Sequence, residues 1–425
     1  MRKRKNNIFA GIDWVLIFLY LTLVFLGWIS IYAATVSPSD TQILDFSTLY
    51  GKHIQKIGFG LVLAIIAISI DSKFYERFSG VIYILTLLSL VGLFIFGANI
   101  NGATSWYRIG SFTLQPSEFA KVGAALALAN FLSEPNRDLN NLKSQLNAFA
   151  ILLIPAVLIT LQPDAGSALI YASLVFVMYR EGLPAYYIVI GLSAIILFVV
   201  TLALGLKITL LAVFVLIALF FIYLIKNNNF AIKREWPKLI ALFLCVGLFI
   251  VSVDYIYNNV FEKRHQDRFN ILLGKTADTR GIGYNTDQSM ITIGSGGLTG
   301  KGFLEGDRTQ GKFVPEQHTD YIFSTVGEEW GFLGTTAVIL LFTAFILRLL
   351  TLAERQKSPF SRIFGYGTAI IFFFHFMINI GMVIGLLPTI GIPLPFFSYG
   401  GSSLWGFTLL VFIFIRLDAD RTYEW

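Results

Sequence analysis

The chain has 425 residues, of which 56% are hydrophobic and only 14% are charged, and its mean hydropathy is +0.70. A soluble domain cannot bury that much apolar surface, so the composition excludes a soluble globular protein and predicts a polytopic membrane protein. The net charge of +6 is distributed over short loops, and we expect no nucleic-acid partner. With one cysteine, Cys245, the chain cannot form a disulfide framework.

The sequence opens with MRKRK, and an apolar run at 14–34 follows that is long enough to cross a bilayer at roughly 20 residues per helix. Because no small-x-small cleavage site follows cleanly, we interpret this run as a retained signal anchor. Further apolar runs lie near 54–71, 79–97, 117–134, 145–162, 165–180, 184–204, 208–225, 237–256, 321–350, 363–388 and 400–416. The pattern predicts an all-α polytopic membrane protein with about twelve spans in a single integral membrane domain, 1–425.

The positive charges predict how the chain is oriented. Short loops such as DSKFYERF and KNNNFAIKREWPK are basic or mixed, whereas the loops between them hold almost no Lys or Arg. The positive-inside rule then places both termini on the cytoplasmic side. The segment 257–320 is the only polar one of any size and falls on the outer face, so we expect any chemistry to occur there.

The first outer loop, ANINGATSWYRIGSFTLQPSEFAKV, combines aromatic and charged residues. Pro116 suits the first turn of a helix, and Glu118 and Lys121 then fall three residues apart on one face of that helix. They form either a structural ion pair or the polar wall of an outward-facing cavity in which Lys121 meets an anion. Trp106 is more typical of an interfacial anchor than of a ligand contact.

The stretch LQPDAGSALI breaks a helix at Pro163 and places Asp164 at the break. Asp164 either caps the helix that begins at Ala165 or contributes to a polar site between discontinuous helices.

The glycine-rich stretch QSMITIGSGGLTGKGF lies in the long loop, at residues 288–303. A phosphate-binding P-loop needs GxxxxGK[ST], but Ser295 takes the place of the first glycine and Gly302 follows the lysine, so the match fails twice. Two interpretations remain, a backbone nest beside Lys301 that binds phosphate and a flexible loop.

The stretch PEQHTDYIFSTVGEEW, residues 315–330, leads into an apolar helix. Asp320 is either the cap of that helix or, beside His318 and Thr319, a general base at the outer surface. Glu328 and Glu329 lie two turns further along, where carboxylates are costly in a membrane. We expect them to line or brace a polar cavity below Asp320.

The stretch GLLPTIGIPLPFFSYGGSSLW, residues 385–405, holds three prolines that forbid a continuous helix. Its freed backbone groups must be satisfied inside the protein, which predicts a broken or re-entrant segment. SYGGSS supplies the hydroxyls of Ser398 and Ser402 and flexible turns. His375 and Asn379 in the preceding span are predicted to make interhelical hydrogen bonds.

Six motifs together resemble the SEDS family (shape, elongation, division and sporulation). They are NGATSWYRIG, LQPSEFAK, QPDAGSAL, QSMITIGSGGLTGKGF, RTQGKFVPEQHTDYIFSTVGEEWGFLG and GLLPTIGIPLPFFSYGGSS, in the order the family has them. GLTGKGFLEGDRTQ and GIPLPFFSYGG are more similar to the elongation branch than to the division branch. The resemblance implies a bundle of 10–12 transmembrane helices with one long extracytoplasmic loop and a Pro-broken helix near the C-terminus. Members usually have ten spans, and 184–225 adds a hairpin.

The resemblance also implies an activity, which is polymerisation of lipid II into peptidoglycan on the outer face of the bacterial cytoplasmic membrane. Asp320 matches the essential aspartate of the family and is the implied general base. Positive charge for the pyrophosphate would come from Lys121, Arg108 or Lys301, with Glu118 holding Lys121 and Trp106 stacking on a sugar. The other implied substrate-binding residues are Asp164, His318, Thr319, Ser398 and Ser402. The metal ligands are unknown.

The implied partners are a class B penicillin-binding protein that crosslinks the product, elongation proteins such as MreC and MreD, lipid II and membrane lipids. No cofactor is required, and a divalent cation, Mg²⁺ or Mn²⁺, is an alternative source of positive charge. Two other functions stay open. A lipid II flippase would also use a polar cavity and broken helices, although it needs polar access from both faces. A non-catalytic scaffold of the cell-wall complex would leave Asp320 as a cap.

Overall fold

A computed structural model describes residues 11–37, 45–100, 102–110, 112–135, 137–226, 232–261, 263–275 and 282–421. MRKRK, on which the orientation of the amino terminus depends, lies outside the described residues, as do residues 227–231 of the basic loop KNNNFAIKREWPK and residues 422–425. The described helices are α1 Trp14–Thr35, α2 Leu49–Ser69, α3 Ser72–Phe96, α4 Pro116–Ser133, α5 Leu142–Thr160, α6 Ala165–Ser173, α7 Val175–Arg180, α8 Tyr186–Leu204, α9 Leu206–Lys226, α10 Ile232–Asn259, α11 Lys263–Leu272, α12 Ile282–Ser295, α13 Asp307–Gln310, α14 Ile322–Glu354, α15 Pro359–Val383 and α16 Gly401–Asp420.

Ten of these helices are long and apolar enough to cross a membrane, namely α1, α2, α3, α5, α8, α9, α10, α14, α15 and α16. The two remaining predicted spans are also helical. The first is α4, which is almost entirely buried, and the second is divided into the short helices α6 and α7. The predicted all-α polytopic membrane fold with 10–12 spans is confirmed, and the chain is a multi-pass membrane protein.

The described residues divide into two compact units, and those up to Pro184 together with those from Asn285 onwards form the larger one. At its centre, α4 packs against α3, α5, α15 and α16, while α16 also packs against α2 and α14 against α15. Small side chains such as Ala120, Ala124 and Ala129 let neighbouring helices approach α4 closely. The charged Glu118 and Lys121 therefore lie in a helix that other helices enclose on most sides.

The second unit covers Ala185–Tyr284 and contains α8, α9, α10 and α11. Gly205 separates α8 from α9 with φ +83°, a conformation that glycine adopts without steric cost. The predicted additional hairpin at 184–225 is therefore present. The segment 257–320 was expected to be a loop but contains α11, α12 and α13. The prediction of a single domain over 1–425 stays a prediction.

The first outer loop folds into a small antiparallel sheet of three strands, β1 Ala98–Ile100, β2 Ala103–Ile109 and β3 Phe112–Leu114. The register pairs Ala98 with Trp106 and Arg108 with Thr113. Gly102 and Gly110 have φ of +84° and +62°, and the chain turns at both glycines. This sheet is an addition to the all-α prediction.

Between α15 and α16, residues 384–400 are not helical, which confirms the predicted Pro-broken segment. An aromatic cluster holds this segment in place. The ring of Phe396 contacts the rings of Tyr20, Phe372 and Phe345, with centroids 5.0, 5.2 and 5.6 Å away. Such edge-on and tilted contacts add stability beyond simple burial.

Candidate functional site

Asp320 lies in the turn that leads into α14, just before the helix begins. The N-cap position is Tyr321, so Asp320 is one residue too early to cap the helix in the ordinary way. Its backbone carbonyl accepts a hydrogen bond of 2.9 Å from the side-chain amide of Asn379. Its carboxylate points towards Gly391, where an added Cβ would lie 3.5 Å from Oδ2. The turn therefore places the Asp320 carboxylate beside the broken segment.

The residues on either side of Asp320 are anchored as well. The backbone N–H of Tyr399 donates to the carbonyl of His318 at 2.8 Å, and the two rings pack edge to face at 5.6 Å. The hydroxyl of Tyr321 lies 2.8 Å from that of Thr389 and 3.2 Å from that of Thr286. The broken segment and α12 thus hold the HTDY turn from several sides.

His318 does not supply a positive charge at neutral pH. Burial lowers the pKa of its imidazole below the ordinary 6.5, and nearby Lys56 lowers it further, while Glu316 opposes the shift. The neutral ring can still donate or accept one hydrogen bond. Thr319, also predicted to bind substrate, donates its hydroxyl to the carbonyl of Glu316 at 3.0 Å.

The predicted ion pair of Glu118 and Lys121 is present, with Nζ 2.8 Å from Oε2 and both side chains only 2% exposed. Lys121 Nζ also lies 3.0 Å from Nε2 of His375 and 5.0 Å from the ring centroid of Phe407. On its other side, His375 Nδ1 is 3.4 Å from the carbonyl of Pro393. Lys121 is therefore neutralised and enclosed, and its proposed contact with an anion stays a prediction.

His375 and Asn379 hold the broken segment through its backbone. Asn379 donates to the carbonyl of Ile392 at 2.8 Å, next to the Pro393 carbonyl that faces His375. The hydroxyl of Ser398 accepts from the backbone N–H of Leu394 at 2.8 Å. Buried backbone groups freed by the prolines thus find side-chain partners, as an irregular segment inside a membrane protein requires.

Glu328 organises the segment around the predicted glycine loop. Its carboxylate accepts hydrogen bonds from Lys301 Nζ at 2.8 Å, Thr309 N at 2.7 Å and Arg308 N at 3.0 Å. Lys301 Nζ also lies 3.2 Å from Asp307, and the bond to Glu328 raises the pKa of Lys301. Lys301 is thus committed to two carboxylates, and its role as a phosphate ligand stays a prediction.

Glu329 holds the same segment from the other side, because its Oε1 accepts from Leu304 N at 3.2 Å. The backbone carbonyls of Glu328 and Glu329 accept from Lys301 N and Gly302 N, each at 3.0 Å. The two glutamates therefore hold the segment that precedes Asp320, and the expected polar cavity below Asp320 stays a prediction.

Asp164 performs the capping role and also makes a longer-range contact. Its Oδ1 accepts from Ser167 N at 3.1 Å at the start of α6, and its Oδ2 accepts from Gln115 Nε2 at 2.9 Å. The backbone N–H of Gln115 in turn donates to the hydroxyl of Ser402 at 2.9 Å. Asp164 and Ser402 are thus linked through the residue that precedes α4.

Trp106 and Arg108 lie apart from these clusters, on strand β2. Trp106 is half-buried and Arg108 is exposed. Their proposed contacts with sugar and pyrophosphate stay predictions.

Lys56 and His53 on α2 were not among the predicted site residues. Lys56 Nζ lies 3.5 Å from the ring centroid of Tyr399, and the His53 ring lies 5.5 Å from the same ring. The signal was visible in KHIQK, where two lysines and a histidine occupy the first turns of an apolar helix. It was missed because the predicted span started at 54, which divided this group between loop and span.

No group of three or more His, Cys, Asp or Glu side chains able to hold a metal is found within the described residues. The divalent cation stays a prediction.

The "Cell cycle protein" family model of FtsW, RodA and SpoVE matches residues 13–234 and 194–423. The chain therefore belongs to this family, which is the one the six motifs resembled. Peptidoglycan glycosyltransferase MrdB of Escherichia coli K12 is 32% identical over 389 residues, covering 91% of this chain and 88% of that protein. Peptidoglycan glycosyltransferase RodA of Treponema pallidum is 30% identical over 450 residues, covering 97% and 98%.

One solved structure, which describes how polymerization and crosslinking are coordinated in a peptidoglycan synthase complex, contains a similar chain. It is 26% identical, has a TM-score of 0.71 and covers 97% of this chain and 99% of that chain. Proteins named FtsW also match, which fits the expectation of a RodA-like chain with FtsW as a more distant relative.

Proposed function

We propose that this chain is a peptidoglycan glycosyltransferase that polymerises lipid II into β-1,4-linked glycan during cell elongation. The observation that carries the proposal is the placement of Asp320. Its turn is fixed by the Asn379 amide and by the backbone bond from Tyr399 to His318, so its carboxylate stands beside Gly391 of the broken segment. The two relatives that match over most of this chain are named for this activity.

In the proposed reaction, the 4-hydroxyl oxygen of an acceptor GlcNAc attacks the anomeric carbon of a donor MurNAc. The hydroxyl proton passes to the carboxylate of Asp320 as the new C–O bond forms. The bond from the anomeric carbon to phosphate breaks, and undecaprenyl pyrophosphate leaves with the bonding electron pair. The α-linked donor becomes a β-linkage, so one displacement with one base is sufficient. General-base catalysis contributes roughly 10²–10⁴-fold.

The proposed location is the bacterial cytoplasmic membrane, with both termini in the cytoplasm and Asp320 at the outer face. The proposed partners are a class B penicillin-binding protein that crosslinks the glycan and elongation proteins such as MreC and MreD. The similar chain in the peptidoglycan synthase complex supports a crosslinking partner.

The test compares polymerisation of lipid II by the wild type and Asp320→Asn, each purified with its penicillin-binding partner. The transpeptidase serine of the partner is blocked, and glycans are separated by length. We expect Asp320→Asn to lose at least about 100-fold in rate while complex formation and thermal unfolding stay unchanged. Asp307→Asn is the matched control, because Asp307 is an exposed carboxylate of the same outer segment, with 87% of its side chain accessible.

Polymer at the wild-type rate from Asp320→Asn would remove Asp320 as the base. A wild-type complex that forms no polymer but moves fluorescent lipid II across vesicles would favour the flippase, and a complex with neither activity would favour the scaffold.

A further inference from the structure

A displaced pyrophosphate needs positive charge, and two of the lysines nominated from the sequence are already neutralised. Lys121 is enclosed with Glu118, and Lys301 is held by Glu328 and Asp307. Using either for an anion would require breaking an existing ion pair. A cation without a carboxylate partner, close to the Asp320 turn, would serve better.

Lys56 has these properties. No carboxylate in the described part of the chain forms an ion pair with it, and its Nζ lies over the ring of Tyr399 at 3.5 Å. Its stem runs along Gly401, where an added Cβ would lie 3.4 Å from Cδ, and its backbone carbonyl accepts from Trp405 Nε1 at 2.9 Å. A cation over an aromatic face is only partly compensated, so its charge remains available to an anion.

The amino end of α16 lies beside this lysine. The helix begins at Gly401 with Gly400 at the N-cap, and no side chain caps it. The first backbone N–H groups of a helix have no intrahelical acceptor, and the helix dipole there favours negative charge. The amide groups that follow SYGG and the ammonium group of Lys56 therefore flank the same space.

His53 provides an independent indication that a ligand belongs here. Its ring is fully buried against Tyr399, and neither ring nitrogen has a hydrogen-bond partner among the described residues. Buried polar groups of native proteins are normally paired, so an unpaired ring next to a free cation needs an explanation. Tyr399 connects this place to the catalytic turn, since its N–H binds the carbonyl of His318.

We propose that Lys56, together with the amino end of α16 and His53, binds the diphosphate of the lipid-linked saccharide. The assignment rests on the proposed glycosyltransferase function and adds the residue that receives the leaving group. Tyr399 is the positioning residue, because its ring contacts Lys56 and its backbone N–H bonds to His318 in the turn of Asp320.

The experiment measures binding of fluorescent undecaprenyl pyrophosphate to the full-length protein in nanodiscs of neutral phosphatidylcholine, without any polymerisation step. The variants are Lys56→Gln, Lys56→Arg, Tyr399→Leu and Tyr399→Phe. Lys52→Gln is the matched control, since it removes the same charge from an exposed position one turn earlier on α2. Thermal unfolding of each variant shows whether it is folded.

We expect Lys56→Gln to weaken binding about tenfold or more, since a hydrogen bond to a charged group contributes about 1.5–3 kcal/mol. Tyr399→Leu should also weaken binding, whereas Lys56→Arg, Tyr399→Phe and Lys52→Gln should stay within about threefold of wild type. In polymerisation assays, Lys56→Gln should raise KM for lipid II, unlike Asp320→Asn, which lowers kcat.

Unchanged binding by folded Lys56→Gln, or an equal loss in Lys52→Gln, would overturn the proposal. Equal competition by phosphatidylglycerol in the same nanodiscs would also overturn it, because the site would then hold a phospholipid headgroup. These readouts are separate from the test of Asp320. Binding that depends on Lys56 in a protein that makes no polymer would contradict the glycosyltransferase and leave the diphosphate site in place.

Discussion

The side-chain amide of Asn379 lies 2.9 Å from the backbone carbonyl of Asp320 and 2.8 Å from that of Ile392. One fully buried NH₂ group thus joins the turn that carries the proposed base to the broken segment. Asn379 lies in α15, which is a regular and well-buried helix. The position of the Asp320 carboxylate is therefore determined by a residue that need not touch substrate.

Replacing Asn379 with Ala should lower kcat for lipid II polymerisation by about tenfold or more and change KM little. The buried Ile392 carbonyl loses its donor, which costs about 1–3 kcal/mol, and the turn loses its bond to Asn379 and is free to shift the carboxylate. Steady-state kinetics of the purified complex measure this. Asn259→Ala is the control, since Asn259 bonds only locally, to the Tyr255 carbonyl, and is exposed. A rise in KM alone would contradict the positioning role.

Glu328→Ala should be among the most destabilising changes in α14. The substitution leaves the backbone N–H groups of Arg308 and Thr309 without an acceptor, and each unsatisfied buried group costs about 1–3 kcal/mol. Thermal unfolding in detergent measures the change. Glu354→Ala at the other end of the helix should change stability far less, because its pair with Arg180 is exposed to solvent. Similar losses in both variants would contradict this account.

Two glycines allow the segment after α12 to dock onto α14. Gly331 interrupts the helix with φ +62°, and an added Cβ would lie 2.3 Å from Gly300 N. At Gly300, with φ +83°, a Cβ would lie 2.1 Å from the carbonyl of Glu329. We expect Gly300→Ala and Gly331→Ala to lower the thermal midpoint and abolish polymerisation. Gly294→Ala, where a Cβ meets nothing within 4 Å, should be neutral or slightly stabilising.

Much of the fold could be predicted because the bilayer imposes a simple rule on the sequence. Apolar runs of span length predicted the ten long helices, and the three prolines predicted the broken segment, since a helix cannot continue through them. The three-residue spacing of Glu118 and Lys121 predicted their ion pair. Local geometry is sufficient for such features.

The partners of Asp320 were not predictable in the same way. Asn379 is 59 residues away from Asp320 in sequence, and Tyr399 lies further along still, just before α16. Their contacts with the Asp320 turn therefore depend on how α15 and the broken segment pack. Lys301 was expected beside phosphate, but the structure pairs it with Glu328, 27 residues later. Lys56 was missed because its partner is a ring 343 positions away, and no local pattern joins α2 to SYGG.

The neutral state of His318 predicts a pH dependence of stability. Since burial lowers the pKa of His318, the unfolded chain binds a proton near the ordinary pKa of 6.5 while the folded chain does not. The stabilising contribution is present above pH 6.5 and is lost as the pH falls through the lower pKa of the folded state. Thermal midpoints between pH 8 and pH 5 should therefore fall less steeply in His318→Gln than in wild type. Parallel curves would show that His318 contributes nothing.

The buried pair of Glu118 and Lys121 allows its structural and functional interpretations to be separated. Lys121→Met or Glu118→Leu alone leaves an uncompensated charge inside the protein, and each should lower the free energy of unfolding by about 3–5 kcal/mol. The double variant removes both charges, so we expect most of that stability to return, as thermal unfolding and a double-mutant cycle will measure.

Polymerisation by the double variant then decides between the two interpretations of Lys121. If the pair serves only to bring two charges into the helix bundle, restored folding should restore a rate within about threefold of wild type. If Lys121 also contacts the pyrophosphate or orients the broken segment through His375, the folded double variant should remain at least tenfold slower. We expect the slower result, because the His375 ring contacts both Lys121 and the carbonyl of Pro393 in the broken segment. The neighbouring Ile392 carbonyl accepts from Asn379, and the same amide also bonds to Asp320.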